Sequence, residues 1–125
     1  MPNTCPCCSR INYQSCCEPY HIGKLKAPSP EALMRSRYAA YSLQLIDYLV
    51  QTTHPSVRML YDKKSIAKWA RENKWLKLEI LSTKTDKVRF KAHYQSKDQY
   101  FIHHEDSTFE QEDGNWYYVK GIFPE

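Results

Sequence analysis

Glycine is nearly missing from this chain, at three residues in 125. No G-x-G-x-x-G fingerprint and no phosphate-binding P-loop occurs, so nucleotide chemistry built on glycine-lined loops is excluded. No apolar run approaches the roughly 18 residues of a membrane span, so a soluble chain is expected. Internal repeats and low-complexity tracts are absent as well. With 42% hydrophobic residues, 14% aromatics and ten tyrosines, there is enough apolar material for one modest core plus an appendage.

All five cysteines fall within Cys5 to Cys17, in the stretch CPCCSRINYQSCC. A core does not need that crowding, because a buried cysteine behaves as a small hydrophobe. A disulfide framework fits poorly. The count is odd, and no charged-then-apolar leader precedes the segment to suggest an oxidising compartment. A cytoplasmic setting is therefore expected. Four thiolates converging on one zinc ion satisfy the arrangement, in the closed tetrahedral geometry of a structural site. Cys5 and Cys7 flank Pro6, which stiffens a tight turn, and Cys16 and Cys17 close the loop. These four are the expected ligands. His21 is the alternative to Cys17, and Cys8 is left as a bystander thiol. Four protein ligands leave the metal no open position for water or substrate, which argues against a metal hydrolase.

Residues 1–28 are read as this knuckle and a connector, and 29–125 as the main domain. Ser29 caps a helix opened by Pro30 and Glu31, and Met34, Tyr38, Tyr41, Leu45 and Tyr48 mark one buried stripe. A second short helix, capped by Asp47, stops at Pro55, where His54 reads as a packed or capping side chain. A third helix is expected over Asp62–Asn73, with Ile66, Trp69 and Ala70 facing inward. The period then changes to two. Leu76, Leu78 and Ile80, then Val88, Phe90, Ala92 and Tyr94, alternate with their neighbours as half-buried strands do. Tyr100–Glu112 reads as a long strand, Asp113-Gly114 as a hairpin turn, and Trp116–Lys120 as the returning strand. Helices followed by antiparallel strands give an α+β fold with helices covering one sheet face.

On the long strand, one parity reads Phe101, His103, Glu105, Ser107, Phe109, and the phenylalanines at both ends turn it toward the core. A histidine, a carboxylate and a hydroxyl placed there need partners, because burying them alone is costly. Arg37 first, and Arg35 second, are the expected partners of Glu105. Two readings follow. One is a structural ion pair, and the other is a polar spot in a ligand pocket formed by Arg35, Arg37, His103, Glu105 and Ser107. Formal net charge is +4, and the span from Arg58 to Lys91 holds eleven Lys/Arg against four acids. Solvated faces account for that distribution, so nucleic-acid binding is expected to be weak or absent and to vanish with salt.

Several ordered motifs resemble a known family. The cysteine pattern is similar to the SEC-C zinc motif, with its C-P-C start and terminal cysteine or Cys-His pair. LMRSRYAAY from Leu33, IDYL from Ile46, HP at His54, HEDSTF from His104 and GNWYYVKG from Gly114 resemble the bacterial YchJ-like family. The resemblance implies an amino-terminal zinc knuckle joined to a cone-shaped domain of nuclear-transport-factor-two-like fold, in which helices pack on a curved antiparallel sheet. It also implies a non-enzymatic adaptor that binds a protein or ribonucleoprotein partner, related to export or to the ribosome. The chain departs from the pattern in four places. Cys8 stands where the motif usually has glycine, Arg10 to Gln14 lacks the usual lysines, Asp106 replaces a commonly basic residue, and no second motif follows Pro124. The alternative function is a small-ligand-binding or enzymatic domain centred on Glu105.

Overall fold

The computed structural model of the chain describes residues 4–123, and two of the α-helices in it begin where a side chain supplies a cap. Ser29 Oγ accepts from the Ala32 N–H at 3.1 Å and opens helix α2 (Pro30–Leu43), with Pro30 at the first helical position. The helix stops at Gln44, whose φ of 59° is left-handed. Before it lies the one-turn helix α1 (Glu18–His21), and after it come α3 (Ile46–Gln51) and α4 (Lys63–Glu72). Asp62 caps α4 by accepting from the Lys64 N–H. Leu45, and not Asp47, occupies the cap position of α3; Asp47 sits in the first turn, where its charge favours the helix dipole.

Strands β1 (Lys74–Thr83), β2 (Lys87–Ser96), β3 (Gln99–Glu112) and β4 (Asn115–Ile122) form one antiparallel sheet in chain order. With helices packed on it, the fold is α+β. The β2–β3 and β3–β4 hairpins each turn on two left-handed residues. Asp113 and Gly114 have φ of 53° and 81°, and Lys97 and Asp98 have φ of 50° and 67°. The register of β1 against β2 shifts between Trp75 and Lys77 and again between Ile80 and Ser82. The first shift breaks the expected alternation. Leu78 is buried and Trp75 packs on the core, while Leu76 is 39% exposed, because one extra residue in a strand reverses the parity before it.

The core lies between α2 and the sheet. Leu33, Met34 and Tyr38 pack with Leu78, Val88, Phe90, Ala92 and Phe109. The segment after α3 is sewn to β4, since Tyr118 N–H donates to Thr52 O and His54 N–H to Tyr118 O, both at 2.8 Å. That pairing covers the open edge of the sheet at this point. The knuckle rests on a different face of α2. Cys5, Cys7 and Cys17 share a buried cluster with Ala39, and Arg35 Nη1 donates to Cys7 O at 3.0 Å. Among the described residues, no helix is long and apolar enough to cross a membrane. Residues 1–3 of the knuckle span, and the chain beyond Phe123 where no second motif is expected, lie outside the described residues.

Candidate functional site

Two sites are built on opposite faces of α2. In the first, the sulfurs of Cys5, Cys7, Cys16 and Cys17 all lie within 4.8 Å of one another, an arrangement that can hold a metal ion. Cys7 and Cys16 are 3.6 Å apart, and Cys16 and Cys17 are 3.9 Å apart. Cys5, Cys7 and Cys17 are buried, so unsupported thiolates there would repel in a poorly screened space. The Cys17 and Cys5 thiols hold Cys7 well below its ordinary value, while Cys17 is driven up by the Cys5 and Cys7 sulfurs and by burial. A cation placed among the four sulfurs would relieve that repulsion. Ser9 supports the group from outside, its hydroxyl 3.1 Å from Cys16 Sγ.

His21 stays out of the sulfur cluster. Its Nε2–H donates to Ser36 O at 2.8 Å, which leaves Nδ1 to accept from the Tyr13 hydroxyl at 2.7 Å. Burial lowers its pKa and keeps the ring neutral. Both nitrogens are thus engaged, Nε2 in joining the knuckle to α2 and Nδ1 within the knuckle. Cys8 is exposed, with its sulfur 3.6 Å from Pro6 O and 3.5 Å from the Leu78 nitrogen. Its φ of 68° lies in the region that favours glycine.

The second site is a cavity of about 400 Å³ between α2, α4 and the sheet. Glu105 lies in its wall, 8% exposed. His103 Nε2 is 2.7 Å from Oε1, Tyr118 OH donates to Oε2 at 3.1 Å, and Ser107 Oγ donates to the same oxygen. Burial raises the pKa of Glu105, but these donors outweigh it and hold the carboxyl below its ordinary value. Around this polar spot stand flat apolar walls, among them Tyr41, Trp69, Trp75 and Phe90. The arrangement suits binding of a small ligand that is largely apolar with one polar end.

Neither expected arginine pairs with Glu105. Arg35 turns the other way, its Nε donating to Glu31 Oε2 at 3.0 Å and its Nη1 to the knuckle, and it does not line the cavity. Two residues along a helix are about 200° apart, so Arg35 and Arg37 cannot face the same side. Arg37 does line the cavity, with Nη1 donating to Leu49 O at 2.9 Å and Thr52 Oγ1 at 2.6 Å. Its Cζ lies 4.6 Å from the centre of the Tyr118 ring. Tyr118 therefore stands in the place expected for a direct ion pair, with the guanidinium on its face and its hydroxyl on the carboxylate. Sequence reasoning missed Tyr118 and Gly121 at this site. The one available signal was a glycine inside a strand, which often marks a close approach of another group.

The family model for the YchJ middle NTF2-like domain matches residues 29–121. The chain belongs to the YchJ family. A UPF0225 protein from Actinobacillus succinogenes is 41% identical, over 95% of this chain and 81% of its own. A UPF0225 protein from Geobacter sulfurreducens is 38% identical over 97% of this chain and 80% of its own. The solution structure of a SEC-C motif containing protein from Rhodopseudomonas palustris superposes with a TM-score of 0.88 at 38% identity, covering 100% of both chains. The crystal structure of a SEC-C motif containing protein from Psychrobacter arcticus gives a TM-score of 0.80 at 31% identity, covering 98% of this chain and 83% of that one. The NTF2-like fold and the cysteine-rich knuckle expected from the YchJ-like motifs are thus those of the family.

Proposed function

We propose that this protein is a zinc-stabilised small-ligand-binding protein, with the knuckle as a structural element and the aromatic cavity as the working site. Zinc suits the donor set. Separations of 3.6 and 3.9 Å between neighbouring sulfurs bracket the edge of about 3.8 Å that a tetrahedron of ~2.3 Å zinc–sulfur bonds requires. Four thiolates close the coordination sphere, so the ion holds the knuckle together and leaves no position for substrate. Reduced thiols of this kind fit the cytoplasm, the compartment we propose.

One observation carries the ligand-binding reading. Glu105 is buried beside an open cavity, and it is held there by three uncharged or titratable donors instead of an arginine. A purely structural carboxylate would be better served by a direct cation or by replacement with an apolar residue. The test is NMR titration with small two-ring aromatic probes, alongside metal analysis. Saturable shifts confined to Trp69, Trp75, His103 and Tyr118, with one zinc per chain, are the expected result. No shift at those residues with any probe sinks the reading.

A second reading is the adaptor, with the knuckle docking a protein partner. Exposed apolar side chains in or just after the knuckle favour it: Ile11 is 50% exposed, Ile22 67% and Leu25 56%. Under that reading Ile22→Asp retains metal and loses a partner that the parent chain captures. Tight nucleic-acid binding is not proposed, since the basic span spends part of its charge on Lys63–Asp47, Lys77–Glu79 and Arg89–Asp106 pairs.

A further inference from the structure

We propose that the cavity takes a planar, apolar monocarboxylate, with the ligand carboxylate on the open edge of the Arg37 guanidinium; this rests on the ligand-binding reading above. Arg37 is 6% exposed, and buried cations are normally paired with an anion. Among the described residues it has no carboxylate within 4.0 Å. All of its hydrogen bonds there run from Nη1, to Leu49 O, Thr52 Oγ1 and Thr53 Oγ1. The N–H groups on Nε and Nη2 are left without an acceptor among the described residues, and neither nitrogen is sealed from solvent. A guanidinium presents its donors as a rigid fork that matches a carboxylate, so the free edge is a ready-made seat for one.

Glu105 does not fill that seat. One of its oxygens serves His103 and the other Ser107 and Tyr118, and Arg37 lies over the Tyr118 ring instead. Charge decides the sign of the ligand. Two basic side chains, Arg37 and Lys120, line the cavity against the single carboxylate of Glu105. A monoanion balances this set, whereas a cationic ligand would add to the excess. Shape decides the body. Trp69 and Trp75 meet edge to face with centroids 5.8 Å apart, and with Tyr41 and Phe90 they offer flat walls that a ring system covers well. A volume of about 400 Å³ falls within the roughly 300–1,000 Å³ of small-molecule sites.

The test uses three probes that share one ring system and differ in charge: 1-naphthoate, 1-naphthalenemethanol and 1-naphthylmethylammonium. Titrated into the zinc-loaded full chain and followed by NMR, naphthoate should bind tighter than the alcohol by on the order of tenfold, because charge-assisted fork contacts add to a shared apolar term. The ammonium should bind weakest, and the Arg37 Nε–H signal should move with naphthoate alone. Lys120→Met removes one of the two lining cations and should lower the preference for the carboxylate without abolishing it. Arg37→Gln should erase it while leaving alcohol binding in place. Arg37 also bonds the end of α3, so this variant can lose stability, but the parent chain already decides the matter through the three probes. If the alcohol binds as tightly as naphthoate, or the ammonium binds best, the Arg37 assignment is overturned and the pocket stands. If Lys120→Met abolishes the preference, the anion sits at the rim and the assignment also falls. If no probe binds, the ligand-binding reading falls with it.

Discussion

Gly121 lies so close to Glu105 that a Cβ at position 121 would overlap the Glu105 carboxyl group. The glycine is in β4, opposite Ser107 of β3, and its missing side chain leaves the space through which Glu105 reaches Tyr118. Gly121→Ala should therefore push the carboxylate out of its hydrogen bonds. The expected cost is about 1–3 kcal/mol, the usual range for overpacking. Urea unfolding measures it, and NMR should show His103 and Tyr118 shifting together. An unchanged midpoint with unchanged His103 signals would mean that the carboxylate is not held where the geometry places it.

Glu105→Gln keeps the shape and removes the charge. With donors from His103, Ser107 and Tyr118 and no direct arginine, its cost should be about 1.5–3 kcal/mol at pH 7, the range for hydrogen bonds to a charged group. That is below the roughly 3–5 kcal/mol typical of breaking a buried ion pair. The carboxyl is held below its ordinary 4.5, so its contribution is fully present above that value and is lost as pH falls through the lower folded value. The difference in unfolding free energy between parent and Glu105→Gln should accordingly shrink as pH falls through the ordinary carboxylate value and below it. Taking the difference cancels the acid sensitivity of the metal site. A gap that stays constant across this range would show that Glu105 is already neutral in the fold.

At the knuckle, Cys16→Ser should lose the metal and Cys8→Ser should keep it, measured by elemental analysis of purified protein. Cys8 lies outside the group of four sulfurs and holds a left-handed φ of 68°. Such a backbone costs a side-chain-bearing residue roughly 1–2 kcal/mol, so Cys8→Gly should be at least as stable as the parent. Retention of metal in Cys16→Ser with its loss in Cys8→Ser would reassign the ligands.

Chelation should unfold the knuckle and leave the sheet in place. The knuckle buries little besides its own cysteines and Ala39, so its folding depends on the ion, whereas the sheet and α2 share a separate apolar cluster. The change will not stop at the knuckle, because Arg35 bonds Cys7 O and His21 bonds Ser36 O. Amide signals of Arg35, Ser36 and Ala39 should shift on adding chelator, while those of Val88, Phe90 and Phe109 hold. Collapse of the sheet signals would show that the two clusters fold as one unit.

Sequence alone determined what short-range physics controls. Ser29-Pro30 starts a helix because a hydroxyl caps it and a proline ring has the right φ. Asp113-Gly114 turns a hairpin because two left-handed residues match strand twist. The four cysteines expected as ligands lie within thirteen residues, close enough in sequence for one short loop to hold them all. The parity that put His103, Glu105 and Ser107 on one face is likewise a property of a single strand, and the structure keeps all three at the cavity. Tertiary structure decided everything that depends on two elements meeting. The rotation of α2 sent Arg37 to the cavity and Arg35 to the knuckle, although both flank the same apolar stripe. The register of β3 on β4 brought Tyr118 and Gly121 to Glu105 from more than a dozen residues away. A bulge in β1 turned Leu76 outward and left Trp75 packed on the core. Helix rotation, strand register and bulges are set by how whole surfaces pack, and a carboxylate takes its partners from the surface that packing presents to it.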